Sequence, residues 1–553
     1  MTESKENKTK KSSAKTTARK AAPKKAAAHP AENKVPANNV TMTYDSSKER
    51  ILFAAFEAVP FIKTGGLGDV AGSLPAALNK LGADVRLIMP KFATIPQKFK
   101  DQMVHVADFY MPLGWRSQFV GIETITYNGV IIYFIDNEYY FYRDQAYGYY
   151  DDGERIAFFS RAILESLKYL DFSPQIIHCN DWHTALVPAF LRGKYGFDVM
   201  KAAPGEVEGR PYSDIRTIFT VHNLKFQGMF SGYMIGDVLG FSQIEAENQG
   251  LVCGDAVNFM RSALSFADRI TTVSPTYANE VCTDFYGENA QDIFNSRRNV
   301  LHGILNGIDT KALDPETDPM IPYHFCAGDC LAKPSDGTGS ISDQPHIPEG
   351  KIQAKMELQK KLGLQVNPDK PIFSIISRLT DQKGLDLVLA IIDEFMQMDV
   401  QFVVLGVGES KYEDKFRSMG EFMPDKFAAC LYFDEPLSHQ IYAASDFMLV
   451  PSLFEPCGLT QIIAMRYGTL PIVRETGGLK DTVRPYNKFD GSGTGFTFAN
   501  YNAHELLFTM KDANDLYYND KNAFCRLVSQ AMNTDFSWDV SAKKYLELYK
   551  ELI

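Results

Sequence analysis

Residues 51–90, ILFAAFEAVPFIKTGGLGDVAGSLPAALNKLGADVRLIMP, decide the fold. ILFAAFEA (51–58) is a continuous apolar run of strand length, GDVAGSLPAALNKLG (68–82) has the spacing of a helix, and DVRLIMP (84–90) is a second apolar run. Strand, helix and strand in succession make a βαβ unit, the element of parallel sheets. KTGGLGDV (63–70) joins the first strand to the helix, where open parallel sheets bind ligands. Gly65 and Gly66 let backbone amides approach a ligand, the helix start favours an anion, and Lys63 adds a mobile positive charge. The motif is neither GxGxxG nor a P-loop, so taken alone it reads equally as a plain tight turn.

The same rhythm continues outward. SPQIIHCND (173–181) and IRTIFTVHN (215–223) read as strands, with WHTALVPAFLRGKYG (182–196) as the helix after the first. Between about 310 and 352 turn residues dominate and periodicity is lost, which marks a connection. A second series then begins with PIFSIISRL (371–379), GLDLVLAIIDEFMQM (384–398) and VQFVVLGVG (400–408). It proceeds through the helix SHQIYAAS (438–445), the strand DFMLVPS (446–452), the helix CGLTQIIAMRYG (457–468) and the strand LPIV (470–473). The fold class is therefore α/β with two lobes, which suits a chain of 553 residues, too long for one core.

Composition excludes several classes. The chain is 45% hydrophobic and 23% charged, the balance of a soluble globular protein, and no apolar run approaches the roughly 18 residues a membrane span needs. The net charge is −11, yet residues 1–40 hold nine Lys and one Arg against three Glu, so a basic tail precedes an acidic body. Residues 1–47 lack the apolar side chains to offset chain entropy and read as disordered; their single Arg, with Glu3, Glu6 and Glu32, argues against a transit peptide. No nucleic-acid partner is expected, because the tail has no folded basic reading surface behind it. The eight cysteines are scattered and no apolar signal segment stands at the start, which favours reduced thiols and a cytoplasmic location. Cys326 and Cys330, with His324 beside them, have no second pair at zinc spacing, so no metal site is assigned.

The second series holds a matching set of loops. SRLTDQKGLDL (377–387) puts Arg378 and Lys383 between a strand and a helix, where both can meet a diphosphate. LFEPCGLTQIIAMRYG (453–468) puts Glu455 at a strand end, with Thr460 and Gln461 opening a helix. RETGGLKDTV (474–483) repeats the glycine pair of the first lobe. Strand-end cations, a strand-end carboxylate and two TGGL turns on two lobes suggest an anionic ligand in a cleft.

Together these stretches resemble bacterial glycogen synthases and plant starch synthases, glycosyltransferase family five. The resemblance also runs through HCNDWHTAL (178–186), FTVHNLKFQGMF (219–230), ADRITTVSPTYANEV (267–281), GILNGID (303–309) and DFSWDVSAKKYLELY (535–549). It implies a GT-B fold, two Rossmann-like lobes facing across a cleft, with the last helix crossing back onto the first lobe. On that reading residues 48–310 and the helix 537–553 form the acceptor lobe, 311–352 the connection, and 353–536 the donor lobe. The implied reaction is retaining transfer of glucose from ADP-glucose or UDP-glucose to the 4-OH at the nonreducing end of an α-1,4-glucan, with no cofactor and no metal.

The resemblance carries over residue by residue. Lys63, Gly65 and Gly66 match the donor-phosphate loop, Arg378 and Lys383 the pair that stabilises the departing diphosphate, and Glu455 the essential carboxylate near the glucose. His183 and Asp151 match groups lining the sugar pocket, and Asn258 with Cys457, Gly458, Leu459 and Thr460 completes the donor site. Each has a blander reading: His183 as a buried structural residue, Glu455 as a helix cap, Cys457 acting through its amide. The chain departs from the family at Arg261, Ser262 and Ala263, where a Lys-Gly-Gly run is common, and lacks a tryptophan after NGID. Competing hypotheses are another retaining GT-B transferase with a different acceptor and an inactive glucan-binding homologue.

Overall fold

The computed structural model describes Asp45 and residues 47–195, 212–330 and 346–553. The expectation of a disordered tail at 1–47 therefore falls almost wholly outside the described residues.

Two sheets organise the chain. The first has nine strands: β1 (Arg50–Ala54), β2 (Asp84–Pro90), β3 (Val104–Leu113), β4 (Arg116–Tyr127), β5 (Val130–Asp136), β6 (Ile176–Asn180), β7 (Arg216–Val221), β11 (Arg269–Thr272) and β12 (Leu301–Gly303). Their order is β12-β11-β7-β6-β1-β2-β5-β4-β3. A small sheet of β8 (Met229–Ser231), β9 (Val252–Cys253) and β10 (Ala256–Asn258) lies within the same part of the chain. The second large sheet has β13 (Ile372–Ile376), β14 (Gln401–Leu405), β15 (Phe427–Cys430), β16 (Phe447–Val450), β17 (Leu470–Arg474) and β18 (Phe496–Phe498), in the order β15-β14-β13-β16-β17-β18. That sheet is parallel throughout, and its order is that of a doubly wound nucleotide-binding domain.

The first sheet departs from an all-parallel expectation at one edge, where β3 pairs with β4 and β4 with β5 in antiparallel register. The cause is local. Asn128 and Gly129 stand between β4 and β5 at φ of 48° and 74°, a two-residue turn that reverses the chain and leaves no room for a crossover helix. A second correction concerns residues 182–196, expected as one helix. The segment is a 3₁₀ turn (Trp182–Thr184), a short α-helix (Leu186–Phe190) and a π turn (Leu191–Tyr195).

In both sheets strand order reverses beside the first strand of the series. β1 lies between β2 and β6, and β13 between β14 and β16. The loops leaving β1 and β6, and those leaving β13 and β16, must therefore splay apart and open a crevice at each switch point.

Two apolar cores fill the lobes. Ile308, Ile321, Phe325 and Cys330 pack into the second core, so the described part of the connection is seated on the second lobe. The last helix, Trp538–Leu552, returns to the first lobe, where Trp538, Ala542, Tyr545, Leu548 and Tyr549 join its core and Tyr549 Oη lies 2.7 Å from His178 Nδ1. The expected two-lobe architecture with a returning helix is what the chain adopts. No described helix is long and apolar enough to cross a membrane.

Candidate active site

At the switch point of the first lobe, the loop after β1 carries Lys63, Gly65 and Gly66 into helix α1 (Gly66–Lys80). Lys63 is exposed and pairs with Asp69 at 2.7 Å. The loop is tied from beneath by Glu57, a buried carboxylate that accepts from the amide of Thr64, from Thr64 Oγ1 at 2.5 Å and from the amide of Gly65 at 3.2 Å. Burial raises the Glu57 carboxyl above its ordinary value, and these bonds oppose that rise. Gly66 lies at the first helical position, where its amide has no intrahelical acceptor, and open space lies where a Cβ would be.

The loop after β6 carries His183. Asp181 precedes it at φ 55°, ψ −178°, a backbone that non-glycine residues rarely adopt, and accepts a hydrogen bond from the amide of His222 at 2.8 Å. Burial raises the Asp181 carboxyl to about 7. This turn presses His183 between Phe56, stacked at 4.9 Å and 12°, and Trp182 at 4.2 Å. The imidazole is 6% exposed, and neither ring nitrogen has a hydrogen-bond partner among the described residues. Burial pushes its pKa down to about 3, so the ring is neutral at physiological pH.

In the second lobe the loops after β13 and β16 meet. Lys383 Nζ lies 2.6 Å from Glu455 Oε2, which also accepts from Ser452 Oγ at 2.9 Å. Glu455 is 7% exposed, and the blander reading of it as a helix cap fits poorly, since its carboxylate engages Lys383 and Ser452. Gly384 makes the junction possible: at φ 68° it lies so close to Pro451 that a Cβ would stand 2.0 Å from the Pro451 carbonyl oxygen. Arg378 is exposed and reaches toward the first lobe, near enough to lower the Tyr147 hydroxyl pKa that burial and nearby carboxylates raise. Tyr147 donates to Thr64 Oγ1 at 3.0 Å and lies 5.3 Å, ring to ring, from His183. Tyr147 thus links the glycine loop to the orphan histidine, with Arg378 of the opposite lobe within electrostatic range.

The remaining expected residues are placed as follows. Cys457 is buried, and burial pushes its thiol up to about 12, so any role falls to its backbone. Gly458, at φ 72°, and Leu459 precede the helix Thr460–Arg466, and Thr460 bonds to the Tyr442 hydroxyl. Asp151 is held by both terminal nitrogens of Arg143 at 2.6 Å each. Asn258 caps the helix Phe259–Phe266, accepting from the Arg261 amide at 3.0 Å, and donates to Gln227 at 2.6 Å. Both are thus engaged within the first lobe. The fold brings together Lys383 with Glu455, and Arg378 with the surroundings of the glycine loop and His183.

The second glycine pair lies elsewhere than expected. Gly477 donates to Glu280 Oε1 at 3.0 Å, and Thr476 Oγ1 donates to the same oxygen at 2.9 Å. Gly478 donates to the carbonyl of Glu455 at 3.1 Å. Beside it Thr276 donates twice to Asp481 at 2.7 Å, and Ser274 Oγ donates to the Pro456 carbonyl at 2.6 Å. This turn belongs to a clasp between the lobes, not to a ligand cradle.

Sequence reasoning missed Glu57, Tyr147, Asp181 and Glu280. Glu57 lies inside the quoted stretch, seven residues before the Thr64 it holds, but nothing in spacing shows which amides a carboxylate will find.

Residues 50–296 match the family described as the starch synthase catalytic domain, and residues 357–519 match group 1 glycosyl transferases. The chain is 47% identical over 505 residues to the glycogen synthase of Lachnospira eligens, covering 91% of this chain and 100% of that one. It is 47% identical over 504 residues to the glycogen synthase of Desulforamulus reducens, with 91% and 99% covered. Among solved structures it is similar to the catalytic domain of starch synthase IV from Arabidopsis thaliana bound to ADP and acarbose, at TM-score 0.79 and 34% identity over 91% of this chain and 99% of that one.

Proposed function

The chain belongs to the family of bacterial glycogen synthases and plant starch synthases, and from that premise we propose that it transfers glucose, with retention, from ADP-glucose to the 4-OH at the nonreducing end of an α-1,4-glucan. The observation that carries this reading is the Lys383–Glu455 pair at the second switch point, with Arg378 of the same loop acting on Tyr147 of the other lobe. As the diphosphate leaves, positive charge builds on the sugar ring and negative charge on the phosphates. A fixed carboxylate beside the ring and fixed cations beside the phosphates favour the same transition state.

Glu455 faces the glucose in this reading, Arg378 and Lys383 neutralise the diphosphate, and Lys63 with the backbone of Gly65 and the amide of Gly66 closes over it. His183, whose neutral nitrogens are without partners, holds glucose hydroxyls, one as donor and one as acceptor. Asp151, Asn258 and the backbone of Cys457, Gly458, Leu459 and Thr460 shape the pocket around the donor. Residues 48–310 with the helix 537–553 are the acceptor lobe, 311–352 the connection and 353–536 the donor lobe. No cofactor or metal takes part, and eight free cysteines support a cytoplasmic enzyme.

The test is incorporation of labelled glucose by the purified chain from ADP-glucose and UDP-glucose, into glycogen and into free sugars. Incorporation into glycogen, faster from ADP-glucose, is expected. Preference for UDP-glucose overturns the donor assignment, and transfer to free sugars alone overturns the acceptor.

A further inference from the structure

Beside the two loops that carry Lys383 and Glu455 lies an open groove of ~540 Å³ in the second lobe. Its floor and walls are largely apolar, from Tyr412, Tyr501, Leu389 and Leu453, and its rim is polar, from Asp381, Asp386 and Lys411. Asp381 stands two residues before Lys383, and Leu453 two before Glu455, so the groove shares its walls with the candidate active site. The rim is pre-arranged: Tyr412 donates to Asp381 and Tyr501 to Asp386, while Lys411 is paired with both Asp381 and Glu409.

Groups of the first lobe lie close to the groove. Lys225 of that lobe acts on the Asp381 carboxylate and lies 5.8 Å from the Phe454 ring. Arg474 lies 5.7 Å from the Tyr501 ring and donates to Tyr286 Oη at 3.0 Å, next to the exposed Phe285.

We propose that this groove is an acceptor subsite, holding glucosyl units of the α-1,4-glucan behind the one that receives the transferred glucose. The inference rests on the acceptor proposed above. Two tyrosine rings and two leucines offer faces to the apolar sides of sugar rings, and the carboxylates accept from their hydroxyls. The volume falls within the range of small-ligand pockets, with room for more than one hexose ring. The rim is of mixed charge: Asp381, Asp386 and Glu409 stand among Lys411, Lys225 and Arg474, so it offers both acceptors and donors to the hydroxyls of a neutral polyol.

Tyr501→Ala and Asp386→Ala in the full chain test it; the second changes an exposed residue in the first turn of the helix Leu385–Phe395 and leaves the core intact. The KM for maltoheptaose and for glycogen should rise about tenfold in each, while the KM for ADP-glucose changes less than twofold. Unchanged glucan KM in both variants overturns the proposal, and so does a rise confined to ADP-glucose, which would place the donor nucleoside there. Failure of the acceptor assignment itself appears separately, as wild-type chain that adds no glucose to glycogen. In that case calorimetric titration with maltoheptaose decides the groove: binding that both variants weaken supports it, and no binding by the wild type, or binding the variants leave unchanged, rejects it.

Discussion

Thr64-Gly65-Gly66-Leu67 and Thr476-Gly477-Gly478-Leu479 are the same four residues, each opening a helix after a strand, and the fold uses them in opposite ways. At Gly66 nothing lies within 4 Å of an added Cβ, and the turn is held from below by Glu57 with its helix start left open. At Gly477 and Gly478 an added Cβ would stand 2.0 Å from the carbonyl oxygens of Glu455 and Cys457, and the Gly477 amide is already bonded to Glu280. The first turn spends its Thr64 and Gly65 amides on Glu57 beneath it and keeps the space at Gly66 open for a ligand. The second gives its Gly477 amide to Glu280 and its Gly478 amide and its space to the loop that carries Glu455, and so holds that loop against the clasp between the lobes. A shared motif shows where amides converge, and packing decides what they converge on.

The comparison is broken most directly at the closed turn. Gly477→Ala or Gly478→Ala should destabilise the chain by about 3 kcal/mol or more, because backbone must move to admit the methyl, and at Gly477 the φ of 45° adds strain. Urea denaturation followed by circular dichroism measures it; stability within 0.5 kcal/mol of the wild type would mean that the turn is as open as the first. The carboxylate on the loop that this turn holds comes next. Glu455→Gln should lower kcat on the order of a hundredfold or more with little change in the ADP-glucose KM, and a lowered melting temperature with near-normal kcat would return Glu455 to a structural role.

The open turn sharpens the contrast from the other side. Gly66→Ala has room, so it should leave stability within about 0.5 kcal/mol and raise the ADP-glucose KM about tenfold by intruding on the ligand alone. A fall in stability without a change in KM would make the two turns alike.

Beside that turn, His183 links the site to pH. Its folded pKa of about 3 lies below the ordinary value of 6.5, as do those of His178 and His222, so the unfolded chain binds more protons between the two values. The stability these neutral rings contribute is complete above pH 6.5 and is lost as pH falls toward 3. Replacing His183 by Phe, which keeps the stack on Phe56, should flatten the decline between pH 6 and 4 by up to about 1.4 kcal/mol per pH unit, read from urea midpoints across pH. The smallest expected effect is none: full activity in EDTA, because on the proposed reading Arg378, Lys383 and Lys63 neutralise the diphosphate and the chain has no Asp-x-Asp triplet. Loss of activity to the chelator, restored by Mg²⁺ or Mn²⁺, would show that the open turn and its cations do not suffice.

Much of this molecule is written locally. Apolar runs bounded by glycine turns are a property of neighbouring residues, and they marked β1, β2, α1, β13 and β14 to within a few residues, together with the two-lobe plan and the strand-end positions of Lys383 and Glu455. Sequence also put Arg378 and Lys383 in one loop, since six positions of chain allow little else. It did not separate the two TGGL turns, because what distinguishes them is Glu57 beneath one and Glu280, from far along the chain, across the other. It did not foresee that Asp151 and Asn258 would be held by Arg143, Arg261 and Gln227, or that Tyr147 would join the glycine loop to His183. Hydrogen bonds and burial are settled by contacts between residues distant in sequence, and only the folded arrangement of strand ends brings those residues within reach.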